Sequence, residues 1–139
     1  MAHKEIEMIL TRQLADCLAM PIFLVDVEGT LLFYNEPAEK ILGRRFEETG
    51  SLLAAQWATA FTPTDDQGQA LEPAQLPLMI ALTEQRPAHG SLWIRGLDQV
   101  NRHIEATALP LIGREGRFLG AVAIFWETPS QGNHGSQRD

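Results

Sequence analysis

The chain has 139 residues, 45% hydrophobic and 21% charged, the composition of one globular domain with modest extensions. Its net charge of -7 argues against a nucleic-acid surface, because phosphate binding needs clustered Lys and Arg. A single cysteine excludes an internal disulfide and a cysteine-based metal cluster, and no apolar run approaches the ~20 residues that span a bilayer. Since the N-terminus also lacks the pattern of a secretory signal, we expect cytoplasmic residence.

An amphipathic helix is predicted for residues 1–20, because apolar residues recur there at helical spacing with charges between them. The stripe lasts barely two heptads, too short for a stable free coiled coil, so it must lie on its own domain or on a second subunit. Cys17 is interpreted as a small buried hydrophobe and not as a reactive thiol. The stripe consists of Ile6, Ile9, Leu10, Leu14, Cys17 and Leu18.

Two strands joined by a tight turn are predicted next. Ile22 to Val27 and Thr30 to Tyr34 are rich in residues that favour strands, and Glu28-Gly29 between them is a turn signal. The pattern predicts a hairpin.

A short capped helix is predicted directly after the hairpin, over Ala38 to Leu42. Asn35 can cap its N-terminus, and Pro37 fits its first turn, where a missing N–H has no effect. Gly43 can end it in the left-handed conformation.

The middle of the chain is predicted to hold a further short helix and a polar loop. The loop covers residues 62–70 and contains Asp65 and Asp66, interpreted as solvated turn residues because no further oxygen ligands stand at calcium-loop spacing. The helix presents one side made of Leu52, Leu53, Trp57 and Phe61.

The longest helix of the domain is predicted over Leu71 to Arg86, opening at Glu72-Pro73 and ending before Pro87. Pro77 is tolerable in it only near the helix start. Three strands are predicted after it, over His89 to Arg95, Arg102 to Pro110 and Phe118 to Glu127, and the remaining residues are polar and expected to be disordered.

This order of elements and the motifs within it resemble a PAS domain. The closing strands carry the motifs A-x-P-L, G-x-x-G and G-A-V-A-I-F, which resemble the family's final meander. The opening motif is Asp26, Gly29, Asn35 and Gly43, and the second, similar to that of sensor-kinase PAS domains, is Asp65, Gly68, Leu71, Pro73, Pro77 and Leu78.

The resemblance implies an α+β fold with a five-stranded antiparallel sheet, order 2-1-5-4-3, and helices across one face. It implies a PAS domain over residues 21–127, with a coupling helix before it (residues 1–20) and a polar tail after it (residues 128–139). The expected function is a sensory or interaction module of signal transduction, as in two-component systems.

In the family a small ligand is often held between the central helix and the inner face of the sheet, so the resemblance points to a pocket there. Small alanines on the strands would leave room for it, although these residues could equally fill a packed core. The predicted wall consists of Leu76, Met79, Ile80 and Thr83 on the helix and of Leu92, Ile94, Ile104, Ala106, Ala121, Ala123 and Phe125 on the strands.

The opposite face of the sheet is predicted to be an apolar patch that needs a cover. The N-terminal helix, from its own chain or from a second subunit, is the natural candidate, which predicts a homodimer with this helix as the coupling element. The face contains Trp93, Glu105, Thr107, Val122, Ile124 and Trp126.

The cofactor is left unassigned, and a non-covalent flavin or an organic acid stays open as the ligand. The sequence argues against haem, because the central helix has no His to ligate the iron, and His89 and His103 lie beyond it. The cysteine-dependent flavin photochemistry of related photoreceptors, and a cysteine-linked chromophore, are excluded because Cys17 lies far from the position they need.

Two alternatives to a ligand-binding sensor stay open. One is a dimerisation platform with a filled core, and the other is a small enzyme that uses His103 with Glu105, or Asp26, as acid and base. No nucleophile accompanies these residues, so we expect no enzyme activity. No kinase, cyclase, phosphatase or DNA-binding segment follows Glu127, so the output is expected from a separate partner or from a domain outside this sequence.

Overall fold

A computed structural model describes residues 20–128 of the chain. The predicted N-terminal helix and the polar tail beyond Thr128 lie outside these residues. Within them, no helix is long and apolar enough to cross a membrane.

The described residues form one five-stranded antiparallel sheet with the order β2-β1-β5-β4-β3, as predicted. Its central strand is β5, which pairs with β1 on one side and with β4 on the other. The strands are β1 (Ile22–Asp26), β2 (Leu31–Tyr34), β3 (Ala88–Arg95), β4 (Asn101–Ile112) and β5 (Phe118–Glu127).

The described residues contain four α-helices, and all but the second of them bury side chains against one face of this sheet, which we call the inner face. The other side is called the outer face and carries a smaller apolar cluster of its own. The helices are α1 (Glu36–Leu42), α2 (Phe46–Thr49), α3 (Ala54–Ala60) and α4 (Pro77–Glu84), with a 3₁₀ turn over Pro73–Gln75 before α4.

Asn35 links the hairpin to helix α1 through a fully buried side chain. Its Oδ1 accepts hydrogen bonds from the backbone N–H of Ile22 (3.0 Å) and of Ala38 (3.2 Å), and its Nδ2 donates to the Met20 carbonyl (2.9 Å). The bond from Ala38 is the predicted N-cap. One amide side chain therefore fixes the start of β1 against the start of α1.

Replacing this amide tests the link. Asn35→Ala removes the cap and leaves buried backbone groups without their partner, so we expect a loss of about 2–4 kcal/mol in the free energy of unfolding, measured by urea denaturation. Lys40→Ala, at an exposed position of the same helix, is the control and should change it by less than about 0.5 kcal/mol. Equal losses in the two variants would contradict this role of Asn35.

The end of helix α1 is tied to the β3–β4 turn. Gly43 ends the helix in the left-handed conformation (φ 82°), as predicted, and a Cβ there would lie 2.6 Å from the Asp98 side chain. Arg102 donates through Nη1 to the Ile41 carbonyl (2.7 Å) and through Nη2 to Oδ2 of Asp98 (2.9 Å). The Arg102 side chain, which is mostly buried, thus satisfies a carbonyl at the helix end.

This ion pair predicts a pH dependence. The hydrogen bond from Arg102 lowers the pKa of the Asp98 carboxyl, so Asp98 stabilises the fold above its unfolded pKa of about 3.9 and loses this effect as pH falls through the lower folded pKa. Asp98→Asn should therefore lower the melting temperature at pH 7, with the difference from wild type closing below about pH 4. A difference that stays constant from pH 7 to pH 3 would contradict the pairing.

Candidate functional site

An apolar pocket of about 100 Å³ lies between helices α3 and α4 and the inner face of the sheet. All fifteen residues that line it are buried. They are Phe23, Leu42, Trp57, Ala58, Phe61, Pro63, Leu76, Pro77, Leu78, Leu92, Ile94, Ile104, Ala106, Ala123 and Phe125.

The predicted strand wall agrees with this pocket in position. Six of its seven residues line the pocket, and Ala121 is buried in the same inner core without lining it. The six are Leu92, Ile94, Ile104, Ala106, Ala123 and Phe125.

The predicted helix wall differs, because α4 begins at Pro77 and not at Glu72-Pro73. This start turns Leu78, Ala81 and Leu82 inward. Of the four predicted residues only Leu76 lines the pocket. The remaining three are Met79 and Ile80, which are half-buried, and Thr83, which is exposed with its Oγ1 donating to the Met79 carbonyl (2.8 Å).

Sequence reasoning missed the contribution of α3 to the pocket. Trp57 and Phe61 stand four residues apart on one helix side, which was a detectable signal for a buried face but not for a pocket. Nε1 of Trp57 donates to the Gly29 carbonyl (2.6 Å), so the indole joins α3 to the β1–β2 turn. Gly29 has φ 86°, and a Cβ there would lie 2.9 Å from Leu82.

The loss of this hydrogen bond can be measured. Trp57→Phe leaves the Gly29 carbonyl without its indole donor, so we expect the free energy of unfolding to fall by about 1–3 kcal/mol in urea denaturation. Trp126→Phe makes the same chemical change on the outer face and is expected to have a smaller effect. A loss for Trp57→Phe no greater than that for the control would contradict the contribution of the bond.

The pocket does not fit haem or flavin. None of the residues that line it is a His or a Cys, so the lining has no ligand for a haem iron. The indole N–H of Trp57 is the one polar side-chain group in the lining, and it is bonded to Gly29. A flavin ring system would have no side-chain partners for its polar edge, and about 100 Å³ is too little space for three fused rings.

The outer face carries the second predicted surface. Register places the four predicted residues of β3 and β5 there, with Trp93 opposite His103, Ile124 opposite Thr107 and Trp126 opposite Glu105. Val122 belongs to a buried outer cluster, and Ile124 packs against that cluster. The outer cluster consists of Ile22, Leu24, Phe33, Leu119 and Val122.

The two residues of the alternative acid–base pair contact different side chains. His103 and Glu105 share the outer face, but Nδ1 of His103 contacts Oγ1 of Thr128 (2.5 Å) while Glu105 lies 3.2 Å from Nε2 of His89. His103 also approaches Asp66 at 3.7 Å. The two side chains therefore have different partners.

The carboxylates of Asp26 and Asp65, which were considered for acid–base or metal chemistry, stabilise turns. Oδ1 of Asp26 accepts from the N–H of Glu28 (2.9 Å) and of Thr30 (3.0 Å). Oδ1 of Asp65 accepts from Gln67 and Gln69 in the same way, both at 2.9 Å. Residues 20–128 contain no group of three His, Cys, Asp or Glu side chains arranged to hold a metal ion.

The comparisons with known proteins agree with the strand order. The family model for the PAS domain matches residues 10–75. A search of curated protein sequences found no match. Solved structures similar to this chain include several PAS domains.

Three of these structures cover most of this chain. The PAS domain of a Colwellia psychrerythraea protein is 19% identical and covers 86% of this chain and 97% of its own, with a TM-score of 0.63. The PAS domain of BvgS from Bordetella pertussis is 16% identical, with coverage of 95% and 94% and a TM-score of 0.61. The LOV protein of Rhodobacter sphaeroides is 20% identical, with coverage of 88% and 67% and a TM-score of 0.65.

The sheet order with helices on one face defines an α+β domain, and the family match agrees with it. The chain has the fold of PAS domains, and the PAS family model matches residues 10–75 of it. PAS domains are in general sensory, non-enzymatic modules of signalling proteins.

Proposed function

We propose that the chain is a sensory module that binds a small ligand in its apolar pocket and relays the change to a signalling partner as a homodimer. The observation that carries this proposal is the pocket of about 100 Å³ between α4 and the inner face. The site residues proposed for it are the fifteen that line the pocket, which do not include the predicted Met79, Ile80, Thr83 and Ala121. The PAS domain spans residues 21–127, its signalling belongs to a two-component type of system, and its location is the cytoplasm.

The strands offer a direct route from the pocket to the outer face. Along β5, Ala123 and Phe125 line the pocket, whereas Val122 and Ile124 between and beside them point to the outer face. A ligand that displaces the inward side chains would move the same backbone that carries the outward ones. This alternation supports the outer face as the output surface.

The outer face is also the proposed dimer surface. Trp93, Ile124 and Trp126 are partly exposed on this face, and the chain enters the sheet through Met20, directly after the predicted helix. A helix with the stripe Ile6, Ile9, Leu10, Leu14 and Cys17 would supply the matching apolar surface. We therefore propose that this helix, together with the second subunit, covers Trp93, Val122, Ile124 and Trp126.

Native mass spectrometry of the freshly purified chain tests both parts of the proposal. We expect the mass of a dimer and, after release under denaturing conditions, a small molecule in addition to the chain. A dimer without any retained or bindable molecule would favour the alternative of a ligandless dimerisation platform. A monomer at every concentration would contradict the homodimer.

A charge on the outer face should disrupt the dimer. Ile124→Glu places a carboxylate on the proposed interface, so we expect sedimentation velocity to show at least a tenfold rise in the dimer dissociation constant, equal to about 1.4 kcal/mol. Ala55→Glu, on the exposed surface of α3, is the control and should leave the dimer intact. Circular dichroism shows whether both variants fold, and a folded Ile124→Glu variant that still dimerises like wild type would disprove this interface.

A further inference from the structure

The pocket is lined almost entirely by apolar side-chain atoms. Its side chains are aliphatic or aromatic, and the indole N–H of Trp57 is already donated to the Gly29 carbonyl at 2.6 Å. Among residues 20–128, no buried side-chain nitrogen or oxygen lacks a hydrogen-bond partner. The side chains of the pocket therefore offer a ligand no unpaired hydrogen-bond donor or acceptor.

Polar ligands are penalised by such a lining. A hydroxyl or amide that enters it gives up its hydrogen bonds to water and gains none, which weakens binding by roughly 5- to 140-fold per group. A carboxylate loses more, because its charge is transferred from water to an apolar site without a cation. The lining contains no Lys, Arg or His to offset that loss.

The size of the pocket restricts the ligand further. Apolar cavities of about 150 Å³ stay dry and take up benzene or xenon. At about 100 Å³, this pocket is smaller than such a cavity. Ala106 on β4 and Ala123 on β5 line this space from neighbouring strands, and their small side chains leave it open.

We propose that the ligand is an uncharged, hydrocarbon-like molecule no larger than a single ring, and that the pocket rejects carboxylates and polar analogues of the same shape. This inference rests on the proposed function, because it takes the pocket as the ligand site. It adds the chemistry of the ligand, which follows from the lining and the volume and not from the fold.

Three probes that share one six-membered ring test the chemistry. Benzene, phenol and benzoate are titrated into the full-length wild-type protein, and amide chemical shifts in ¹H–¹⁵N NMR spectra report saturable binding at the pocket. We expect benzene to bind, phenol to bind roughly 5- to 140-fold more weakly, and benzoate not to shift the pocket amides. Xenon serves as a smaller apolar probe if the pocket is too narrow for benzene.

Pocket variants identify the place of binding. Ala106→Leu adds carbon atoms to the pocket wall and should abolish the benzene or xenon shifts, and Ala123→Val is a milder change in case the first variant does not fold. Ala55→Leu adds the same atoms at an exposed position of α3 and should bind like wild type. Binding that is unchanged in both folded pocket variants would place the ligand elsewhere and overturn the proposal.

The outcomes separate this inference from the proposed function. Phenol or benzoate binding at the pocket as tightly as benzene, or a polar molecule retained by the purified protein there, overturns the apolar ligand class but leaves ligand sensing intact. The absence of binding by benzene and by xenon, together with no retained molecule, overturns both. Benzene or xenon binding that is lost in the pocket variants supports both.

Discussion

The central position of β5 is the constraint on which the rest of the structure depends. This strand pairs with β1 over Ile22–Asp26 on one edge and with β4 over Ile104–Ile112 on the other, although more than ninety residues separate β1 from β5 in the chain. Once both edges are paired, the strand order is fixed, and the alternation of side chains sends Ala123 and Phe125 to the pocket and Val122 to the outer cluster. Strand β5 thus contributes side chains both to the pocket and to the outer face.

The features that could be predicted from the sequence are those decided by neighbouring residues. Asn35 caps α1 through the N–H three residues later, and Gly43 ends that helix through its own backbone conformation, so local chemistry determines both. Strand periodicity assigned the inner and outer faces of β3 to β5 correctly, because a period of two leaves only two choices. The strand order followed from the family resemblance, since no local signal specifies which strands pair.

The features that could not be predicted depend on where elements begin and on distant packing. Leu76 is the N-cap residue of α4 and has an extended backbone (ψ 137°), so helical spacing continued from it put Thr83 on the inner side, whereas Thr83 is exposed. The pocket itself is shaped by Trp57, Phe61 and Pro63, which reach it from a different part of the chain. Periodicity in the sequence identifies a buried face. A pocket arises where two facing surfaces do not fill the volume between them, and the periodicity of each segment does not report that volume.

The apolar pocket lowers the stability of the fold unless it is filled. The side chains that line it lack van der Waals partners on the side that faces the space, which lowers their contribution to packing. A ligand that occupies the space contributes the missing contacts. In the proposed function, the ligand shifts the β5 backbone and with it Val122 and Ile124 on the other side, because protein interiors are close-packed and resist compression. In that proposal, the small residues Ala106 and Ala123 both leave room for the ligand and link its binding to the response of the strand.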